Sequence, residues 1–594
     1  MATNNERITE NLVRDRLRDL GYYAPDNGVR IEEQKSQIVE VSKLLRGASK
    51  TGGSGTGAPE FIISSDTVPD LILVLECKAD VNAHESTFRD RPAGFAVDGV
   101  LHYAKALSKS FQVIAIAVSG QTTAELRIST FLHAKGAAEA RDLTARSGTA
   151  ITEIVTMEDY LDAAQFDPLV EKARIADLMS FSRDLHVFMR DYGKLTEAEK
   201  PLLVSGTLLA LRNEAFAKGY MHYKPEELQR QWWRVLRDEL EAAEIPHAKK
   251  TNMTQPYSTI SVHPELRRST PTHPRGVLFE LIQMLAVHVL PLTKTYEGFD
   301  IVGQFYGEFL KYTGGDGKSL GIVLTPRHVT ELFARLANVN KNSVVLDTCA
   351  GTGGFLISAM NQMLSSAVTE SERENIRKNQ LVGVEQQPGM YALAASNMIL
   401  RGDGKANLYQ GSCFDTAVSK AVKEHKATVG LINPPYNQKG QGLNELSFVQ
   451  NLLDALEPGA TGIAIVPMSC ATSKSVEKNK LLRFHTLKAV MSMPAELFSP
   501  VGVITCVMVF TAHRPHEESN QKTWFGYWRN DGFVKTKHLG RVDLNGTWPS
   551  IRESWVEGVP KQRGSLWPVC YKASRSGRRV VCRGVYGDRL FHPH

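Results

Sequence analysis

Residues 345–356, VLDTCAGTGGFL, place a glycine-rich turn between a hydrophobic run that ends at Asp347 and a helix-like pattern. The glycines of this turn, Gly351, Gly353 and Gly354, allow positive φ angles and a close approach of the backbone to a ligand. The N-terminus of the following helix favours an anionic group such as a carboxylate. A strand, a turn and a helix in this order predict an α/β domain. On its own, such a turn also fits dinucleotide sites and ordinary α/β connections.

Two further features follow this turn at orderly intervals. Glu385 ends the next strand-like run, LVGVE, where an acid can accept hydrogen bonds from ribose hydroxyls. In the segment LINPPYN, the prolines Pro434 and Pro435 stiffen a turn. The side-chain oxygen of Asn433 and the carbonyl of Pro434 can accept hydrogen bonds from an adenine amino group, and Tyr436 can stack on a base turned out of the duplex. Asn-Pro-Pro alone is a common turn, so the prediction depends on all three features together.

The length of 594 residues exceeds what one hydrophobic core supports, so several domains are expected. The apolar share of 42% and the charged share of 23% are those of ordinary globular proteins. Strand-like runs and helices alternate at first, long helical periods follow, and strands return after residue 300. The predicted domains are a small α/β domain (1–165), a helical domain (166–300), an α/β core (301–520), and a connector with a basic tail (521–594). Core strands are predicted at 343–347, 381–385, 430–433, 462–467 and 505–510.

Several classes of protein are excluded by composition. The chain has no run of 18 apolar residues and no signal-peptide segment at its N-terminus, so we expect a protein that neither spans a membrane nor is exported. Seven scattered cysteines without a CxxC pair indicate free thiols in the cytoplasm. Residues 561–594 hold eight Lys/Arg and one acid, a charge of +7, which leaves −1 of the total of +6 for residues 1–560. DNA affinity is therefore expected from local patches or from this tail.

The segments DTCAGTGGF and NPPY resemble those of N6-adenine DNA methyltransferases in which the cofactor motifs precede the catalytic motif. FDIVGQFYGEFLKY, LTPRHVTELF and the region 464–510 resemble the modification subunits of type I restriction systems. The resemblance covers about 170–520 and implies a Rossmann-like core, S-adenosylmethionine as cofactor and double-stranded DNA as substrate. The cofactor-binding residues implied are Thr325, Pro326, Asp347, Gly351, Gly353, Gly354, Glu385 and Asp415, with the Phe305/Tyr306 region. The catalytic residues implied are Asn433, Pro434, Pro435 and Tyr436, with Phe498 lining the base pocket.

The segment PDLILVLECK near the N-terminus carries a second set of candidate residues. Glu76 and Lys78 lie on one face of a strand, because alternate residues point the same way, and Asp70 begins it. Two carboxylates and a lysine can hold Mg²⁺ and orient a water against a phosphodiester. The pattern is frequent by chance, but charges on an apolar strand are costly to bury unless they bind something. The setting resembles PD-(D/E)xK nucleases of restriction enzymes, which implies Asp70 and Glu76 as metal ligands, Glu10 as an auxiliary acid, and Tyr103 as a structural or phosphate-side residue.

These observations predict a fused restriction–modification polypeptide that methylates adenine N6 and cleaves unmodified DNA with Mg²⁺. One alternative is an adenine methyltransferase whose N-terminal domain only clamps DNA, and another is a non-catalytic DNA-binding scaffold. Type I modification subunits obtain their specificity from a separate subunit, and little chain follows residue 520, so we expect a specificity subunit as partner. The tail KASRSGRRVVCRGVYGDRLFHPH lacks periodicity, and a truncation or a shifted reading frame would explain it. GGDGKS is no P-loop, because no strand precedes it.

Overall fold

Two compact units make up the chain, one of described residues up to Ser180 and one of described residues from Phe181 onward. Within them no helix is both long and apolar enough to cross a membrane. Phe305, Tyr306 and the GGDGKS motif lie outside the described residues. The computed structural model describes residues 5–25, 27–50, 55–66, 68–145, 149–165, 168–242, 247–290, 324–401, 407–436, 444–498, 502–519, 521–536, 540–543, 545–561 and 570–572.

The first unit contains a six-stranded sheet in the order β1-β2-β3-β4-β5-β6. β3 and β4 are its parallel central pair, and the other neighbours are antiparallel. Both central strands are fully buried, because α1 packs on one face of the sheet and α3 on the other. The strands are β1 (Val29–Glu32), β2 (Phe61–Ser65), β3 (Leu71–Lys78), β4 (Gln112–Ser119), β5 (Arg127–His133) and β6 (Arg141–Asp142). The helices are α1 (Glu6–Asp19), α2 (Val39–Leu45), α3 (Ala96–Leu107), α4 (Met157–Gln165) and a 3-10 turn (Val81–Ala83).

Helices and the turns that connect them, without a strand, make up the described residues between 168 and 290. In the second unit, α6 is buried from Lys200 to Ala210 because it packs on a helix of the following core. There the hydroxyl groups of Tyr257 and Ser396 lie 2.5 Å apart. The helices are α5 (Pro168–Asp191), α6 (Glu199–Ala210), α7 (Glu214–Gly219), α8 (Pro225–Ala242), α9 (His247–Thr254), α10 (Ser258–Ser261) and α11 (Val277–His288). The 3-10 turns are Tyr220–His222, Gln255–Tyr257 and Pro264–Arg267.

The second unit is built around a nine-stranded sheet in the order β17-β14-β12-β13-β11-β10-β7-β8-β9. The five strands from β11 to β9 are parallel, and β13 is antiparallel to both of its neighbours. The strands are β7 (Val345–Asp347), β8 (Leu381–Glu385), β9 (Asn407–Gln410), β10 (Val429–Ile432), β11 (Thr461–Pro467), β12 (Thr486–Ser492), β13 (Thr505–Thr511), β14 (Thr523–Tyr527) and β17 (Cys570–Lys572). A separate hairpin joins β15 (Val534–Thr536) and β16 (Gly540–Val542).

The chain passes from β7 outward to β8 and β9 and then returns to β10 on the other side of β7. Ligands of open α/β sheets bind at such a switch point, beyond the carboxyl ends of the strands. The predicted α/β class, with a helical region before a Rossmann-like core, is confirmed. β14 and β17 extend the sheet past residue 520, and the other domain boundaries stay predictions. The helices are α12 (Arg327–Leu336), α13 (Gly354–Leu364), α14 (Glu370–Asn379), α15 (Pro388–Leu400), α16 (Thr416–Lys423), α17 (Glu445–Asp454), α18 (Met468–Thr472), α19 (Val476–Phe484) and α20 (Trp548–Lys561).

Candidate functional site

The glycine-rich turn lies at the carboxyl end of β7, at the switch point where the order of successive strands reverses. Gly351 and Gly353 adopt φ angles of 55° and 86°, a left-handed conformation that glycine tolerates best. Gly353 caps α13, and Gly354 is the first residue of that helix. The carboxylate of Glu385, at the end of β8, accepts a hydrogen bond of 2.9 Å from the amide of Gly351. The acid predicted to contact ribose therefore also fixes the turn.

A second support for the turn comes from α15. The side-chain amide of Asn397 donates a hydrogen bond of 3.0 Å to the carbonyl of Thr352. Asn397 is fully buried and lies on the helix that packs against α6. The turn is thus held from the end of β8 and from the helix that follows it, which keeps its backbone in one conformation.

Asp347 and Glu385 form a pair of carboxyl groups beneath the turn. Asp347 is fully buried, and burial raises its pKa to about 8, while the hydrogen bond from the Cys349 amide opposes the shift and the charge of Glu385 adds to it. Burial also raises the pKa of Glu385, against the hydrogen bonds from Gln387 and Gly351. Burial disfavours the ionised form of both acids, and a positively charged ligand stabilises that form. The sulfonium and ammonium groups of S-adenosylmethionine are such charges, so these residues fit the implied cofactor.

The raised pKa of Asp347 makes stability depend on pH. In the unfolded chain this carboxyl ionises near its usual value of 3.8, whereas in the folded protein it keeps its proton up to about pH 8. Without cofactor, the free energy of unfolding should therefore fall between these values, by at most ~1.4 kcal/mol per pH unit from this group. We expect Asp347→Asn to remove that slope in denaturant titrations at pH 5 to 8. Asp454→Asn, at a carboxyl group whose pKa is lowered, is the control that leaves the slope intact.

The Asn-Pro-Pro-Tyr segment begins directly after β10, beside the end of β7. The side-chain amide nitrogen of Asn433 donates a hydrogen bond of 2.9 Å to the hydroxyl of Thr325, although 108 residues separate the two in sequence. Thr325 and Pro326 immediately precede α12, and Pro326 caps that helix. Pro434 is buried and Pro435 half-buried. The structure thus brings the predicted catalytic asparagine together with a residue predicted to close over the cofactor.

Aromatic rings lie next to this segment. The hydroxyl of Tyr436 donates a hydrogen bond of 3.3 Å to the carbonyl of Ile465 in β11, and burial raises the pKa of this hydroxyl, so it stays neutral. The ring of Phe498 meets that of Tyr436 edge to face, with centroids 6.3 Å apart. The two rings form an apolar corner of the kind that accommodates a planar base.

Asp415 lies apart from these contacts. It is exposed in the turn after β9, and its carboxylate accepts a hydrogen bond of 3.1 Å from the amide of Ser412. The turn also holds the amide of Gly411, which donates to the carbonyl of Glu385 over 3.0 Å. Asp415 is therefore tied to the end of β8, and its role toward the cofactor's adenine stays a prediction.

In the first unit, Glu76 and Lys78 lie together at the end of β3. Glu76 is fully buried, and its Oε1 contacts the Nζ atoms of Lys50 and, at 3.4 Å, of Lys78. Lys78 also donates a hydrogen bond of 2.9 Å to Glu6 on α1. Burial raises the pKa of Glu76, against the attraction of Lys50 and Lys78. Its second oxygen, Oε2, is buried and has no hydrogen-bond partner among the described residues.

Asp70 does not join this cluster. It precedes β3, six residues from Glu76, which at the usual rise of a strand corresponds to roughly 20 Å. Its carbonyl instead accepts a hydrogen bond from Gln112, at the start of β4. The sequence-based assignment took Asp70 from the same strand as Glu76, whereas the two ends of a strand cannot share one metal ion.

Glu60 lies where Asp70 was expected. It precedes β2, whose antiparallel register pairs Phe61 with Leu75, so Glu60 falls opposite Glu76. Burial, followed by the charges of Glu76 and Glu10, raises the pKa of Glu60 to about 7. The sequence carried a signal for this residue, since Pro59-Glu60 precedes an apolar strand one hairpin before the Glu-Cys-Lys triplet.

The two remaining residues implied in this unit also lie near the cluster. The charge of Glu10, on α1, contributes to the raised pKa of Glu60. The hydroxyl of Tyr103 accepts a hydrogen bond of 3.3 Å from the amide of Ala58, and the Tyr103 ring centroid is 5.5 Å from Lys50 Nζ. Among the described residues no group of three or more His, Cys, Asp or Glu side chains could hold a metal ion. Glu60 and the unpartnered Oε2 of Glu76 offer two carboxylates, and Mg²⁺ typically takes one or two from a protein and fills its shell with water and phosphate.

Comparison with known proteins decides the family. The profile of the family described as N-6 DNA Methylase matches residues 297–541. The type II restriction enzyme and methyltransferase RM.BcgI of Heyndrickxia coagulans is 34% identical over 579 residues, which cover 93% of this chain and 88% of that protein. The chain belongs to the RM.BcgI family. By its name, RM.BcgI is both a restriction enzyme and a methyltransferase.

The type I methylase subunits are similar to part of the chain. The type I restriction enzyme StySJI methylase subunit of Salmonella typhimurium is 26% identical over 249 residues, 37% of this chain and 46% of that protein. A solved structure described as the basis of assembly and conformational transition of a type I restriction–modification system covers 66% of this chain and 85% of that chain, at 20% identity and a TM-score of 0.46.

Proposed function

We propose that this restriction–modification methyltransferase transfers a methyl group from S-adenosylmethionine to N6 of adenine in DNA. The observation that carries the proposal is the hydrogen bond between Asn433 and Thr325 at the sheet's switch point, beside the glycine-rich turn. When bound, S-adenosylmethionine supplies an activated methyl group on its sulfonium. The turn at Gly351 and Gly353, together with Asp347 and Glu385, would hold it.

The residues after β10 would orient the adenine. With its amide nitrogen donating to Thr325, Asn433 presents its carbonyl oxygen to a different partner, and an amino group is a suitable donor. The carbonyl of Pro434 accepts the second amino hydrogen, which leaves the nitrogen lone pair directed toward the methyl group. Tyr436 and Phe498 provide apolar surface for a base flipped from the duplex.

Sequencing of methylated bases tests this assignment. DNA from cells that express the chain together with its neighbouring open reading frames should contain N6-methyladenine within one recurring motif, and expression of the chain alone should not give that motif. A catalytically dead Asn433→Ala chain, expressed at the same level, supplies the background. Methylation of cytosine at N4 would overturn the assignment to adenine and leave the methyltransferase family intact.

We further propose that the first unit cleaves unmodified DNA with Mg²⁺, through Glu60, Glu76 and Lys78. When bound, Mg²⁺ would polarise the scissile phosphate, with Glu60 and Glu76 as its carboxylate ligands. Lys78 would hold the attacking water or the phosphate, since its ammonium lies 3.4 Å from Glu76. The combined name of RM.BcgI supports this proposal. We expect the protein to cleave unmethylated DNA only in the presence of Mg²⁺ and to leave adenine-methylated DNA uncut.

The third element of the proposal is a specificity subunit. The type I relatives are named methylase subunits, and the resemblance to them implies that DNA bases are read by a separate chain. We expect the purified chain alone to bind DNA weakly, without sequence preference, and with an affinity that falls steeply as salt is added, since such contacts are to phosphates. Footprinting on DNA with the methylated motif measures this. Sequence-specific methylation by the isolated chain would contradict it.

A further inference from the structure

Helix α12 is held along one side by described residues between 528 and 555, which we call the C-terminal clamp. The ring of His328, in the first turn of α12, stacks on Phe533 with centroids 4.0 Å apart and planes 20° apart. Trp548 meets the same ring edge to face, with a centroid distance of 5.1 Å. Farther along the helix, Arg335 forms an ion pair of 2.9 Å with Glu553. The helix that follows Thr325 and Pro326 is thus held in place by residues about 200 positions later in the sequence.

The centre of the C-terminal clamp is the buried carboxylate of Asp531. Its Oδ2 lies 3.1 Å from Nε2 of His328, and Arg541 donates hydrogen bonds of 3.0 and 2.6 Å to the two carboxylate oxygens. Burial opposes ionisation, but the hydrogen bonds from His328 and Arg541 outweigh it and hold the pKa of Asp531 below its usual value. Burying a charge costs free energy unless the charge is hydrogen-bonded. The carboxylate of Asp531 is bonded by the side chains of His328 and Arg541 and by the backbone amide of Phe533.

His328 lies three residues from the hydroxyl that contacts Asn433. Pro326 fixes the backbone between them, because its carbonyl accepts the first hydrogen bonds of α12, from Val329 and Thr330. The hydroxyl of Thr330 also bonds that of Ser358 in α13, over 2.6 Å. Holding the His328 ring therefore holds the start of α12, and with it the hydroxyl of Thr325.

We propose that Asp531 is a positioning residue for methyl transfer: by anchoring His328 it sets Thr325 so that the side-chain amide of Asn433 keeps one orientation. An amide free to rotate by 180° would present nitrogen, a donor, where the adenine amino group needs an acceptor. The inference rests on the proposed adenine methylation. It assigns to residues 528–555 a part in the reaction, although they contain neither a cofactor motif nor the Asn-Pro-Pro-Tyr segment.

The test compares Asp531→Asn with the wild type in the full chain, together with its specificity subunit where methylation requires one. We expect the single-turnover rate of methylation to fall about tenfold, the usual cost of weakening one charge-assisted hydrogen bond. The affinity for S-adenosylmethionine should fall by less than the rate, because the glycine-rich turn, Asp347 and Glu385 are untouched and only the predicted contact of Thr325 is affected. A rate equal to that of the wild type, or an equal loss of cofactor affinity, would overturn the proposal.

Two controls separate positioning from a general loss of stability. Asp454 and His485 form another histidine–carboxylate pair in this unit, with atoms 3.2 Å apart, and Asp454→Asn should leave the rate unchanged. Thr325→Val removes the hydroxyl, so adding Asp531→Asn to it should slow methylation no further. Rate losses that multiply instead would show that Asp531 does not act through Thr325.

Folding and the underlying activity are checked in the same series. If Asp531→Asn does not fold, His328→Asn replaces it, since it shortens the side chain that reaches Asp531 and the same non-additivity with Thr325→Val is expected. Wild-type protein that methylates no adenine would refute the proposed function. Normal methylation by a folded variant of either residue would refute the positioning role alone.

Discussion

Asn433→Ala should lower the rate of adenine methylation by on the order of 1,000-fold, as expected when a group that aligns the reacting atoms is lost. The affinity for S-adenosylmethionine should be retained, because the asparagine lies after β10 and contacts Thr325, whereas the glycine-rich turn lies after β7. Transfer of labelled methyl groups to DNA measures the first quantity, and calorimetric titration of the cofactor measures the second.

One substitution in the glycine-rich turn and one beneath it provide the matched comparison. Gly351→Leu places a branched side chain at a φ of 55°, and Asp347→Ala removes the carboxyl group beneath the turn, so both should weaken cofactor binding first. At saturating cofactor their methylation rates should recover in part, whereas that of Asn433→Ala should not. An equal loss of cofactor affinity in all three variants would contradict the separation of the two roles.

Cleavage should be abolished by Glu60→Gln, Glu76→Gln or Lys78→Met, while methylation by the same proteins continues, because the residues belong to different units. Loss of a metal-binding carboxylate removes the ion's contribution to charge stabilisation, which is worth several kcal/mol, or about a thousandfold or more in rate. Nicking of unmethylated plasmid in Mg²⁺, with every required subunit present, is the measurement.

Asp70→Asn is the decisive control for this experiment. Asp70 precedes β3 and lies far from Glu76, so this variant should cut like the wild type. If Asp70→Asn is inactive and Glu60→Gln is active, the metal site is the one predicted from the sequence and the contacts of Glu60 are structural. If the wild-type protein never nicks DNA in Mg²⁺, the first unit is a DNA clamp and not a nuclease.

The sequence was sufficient to predict much of the core. β8, predicted at 381–385, has exactly these bounds, and the predicted runs at 462–467 and 505–510 differ from β11 and β13 by one residue each. Such runs are apolar and flanked by turn residues, so a short stretch of sequence is enough to recognise them. The Asn-Pro-Pro-Tyr segment and the glycine-rich turn are local as well, which is why each could be placed directly after a strand.

The features that the sequence did not reveal depend on pairing between distant segments. Glu60 and Glu76 lie opposite each other because of the register of β2 against β3, and residue spacing along one strand does not reveal that register. Asp531 and His328 are 203 residues apart, and an aspartate between an asparagine and a glycine reads as a surface turn. Only the folded chain shows that this carboxylate is buried against the start of α12.

The contact between the helical region and α15 has a consequence for regulation. Tyr257 bonds Ser396, and Asn397, the next residue of that helix, holds the carbonyl of Thr352 in the glycine-rich turn. A protein that docks on the helical region and shifts Tyr257 would therefore change the affinity for the cofactor. By thermodynamic reciprocity, the cofactor would alter the affinity for that protein by the same factor. Assembly and cofactor loading would then form one equilibrium, in which the docked protein and the methyl donor each change the affinity for the other.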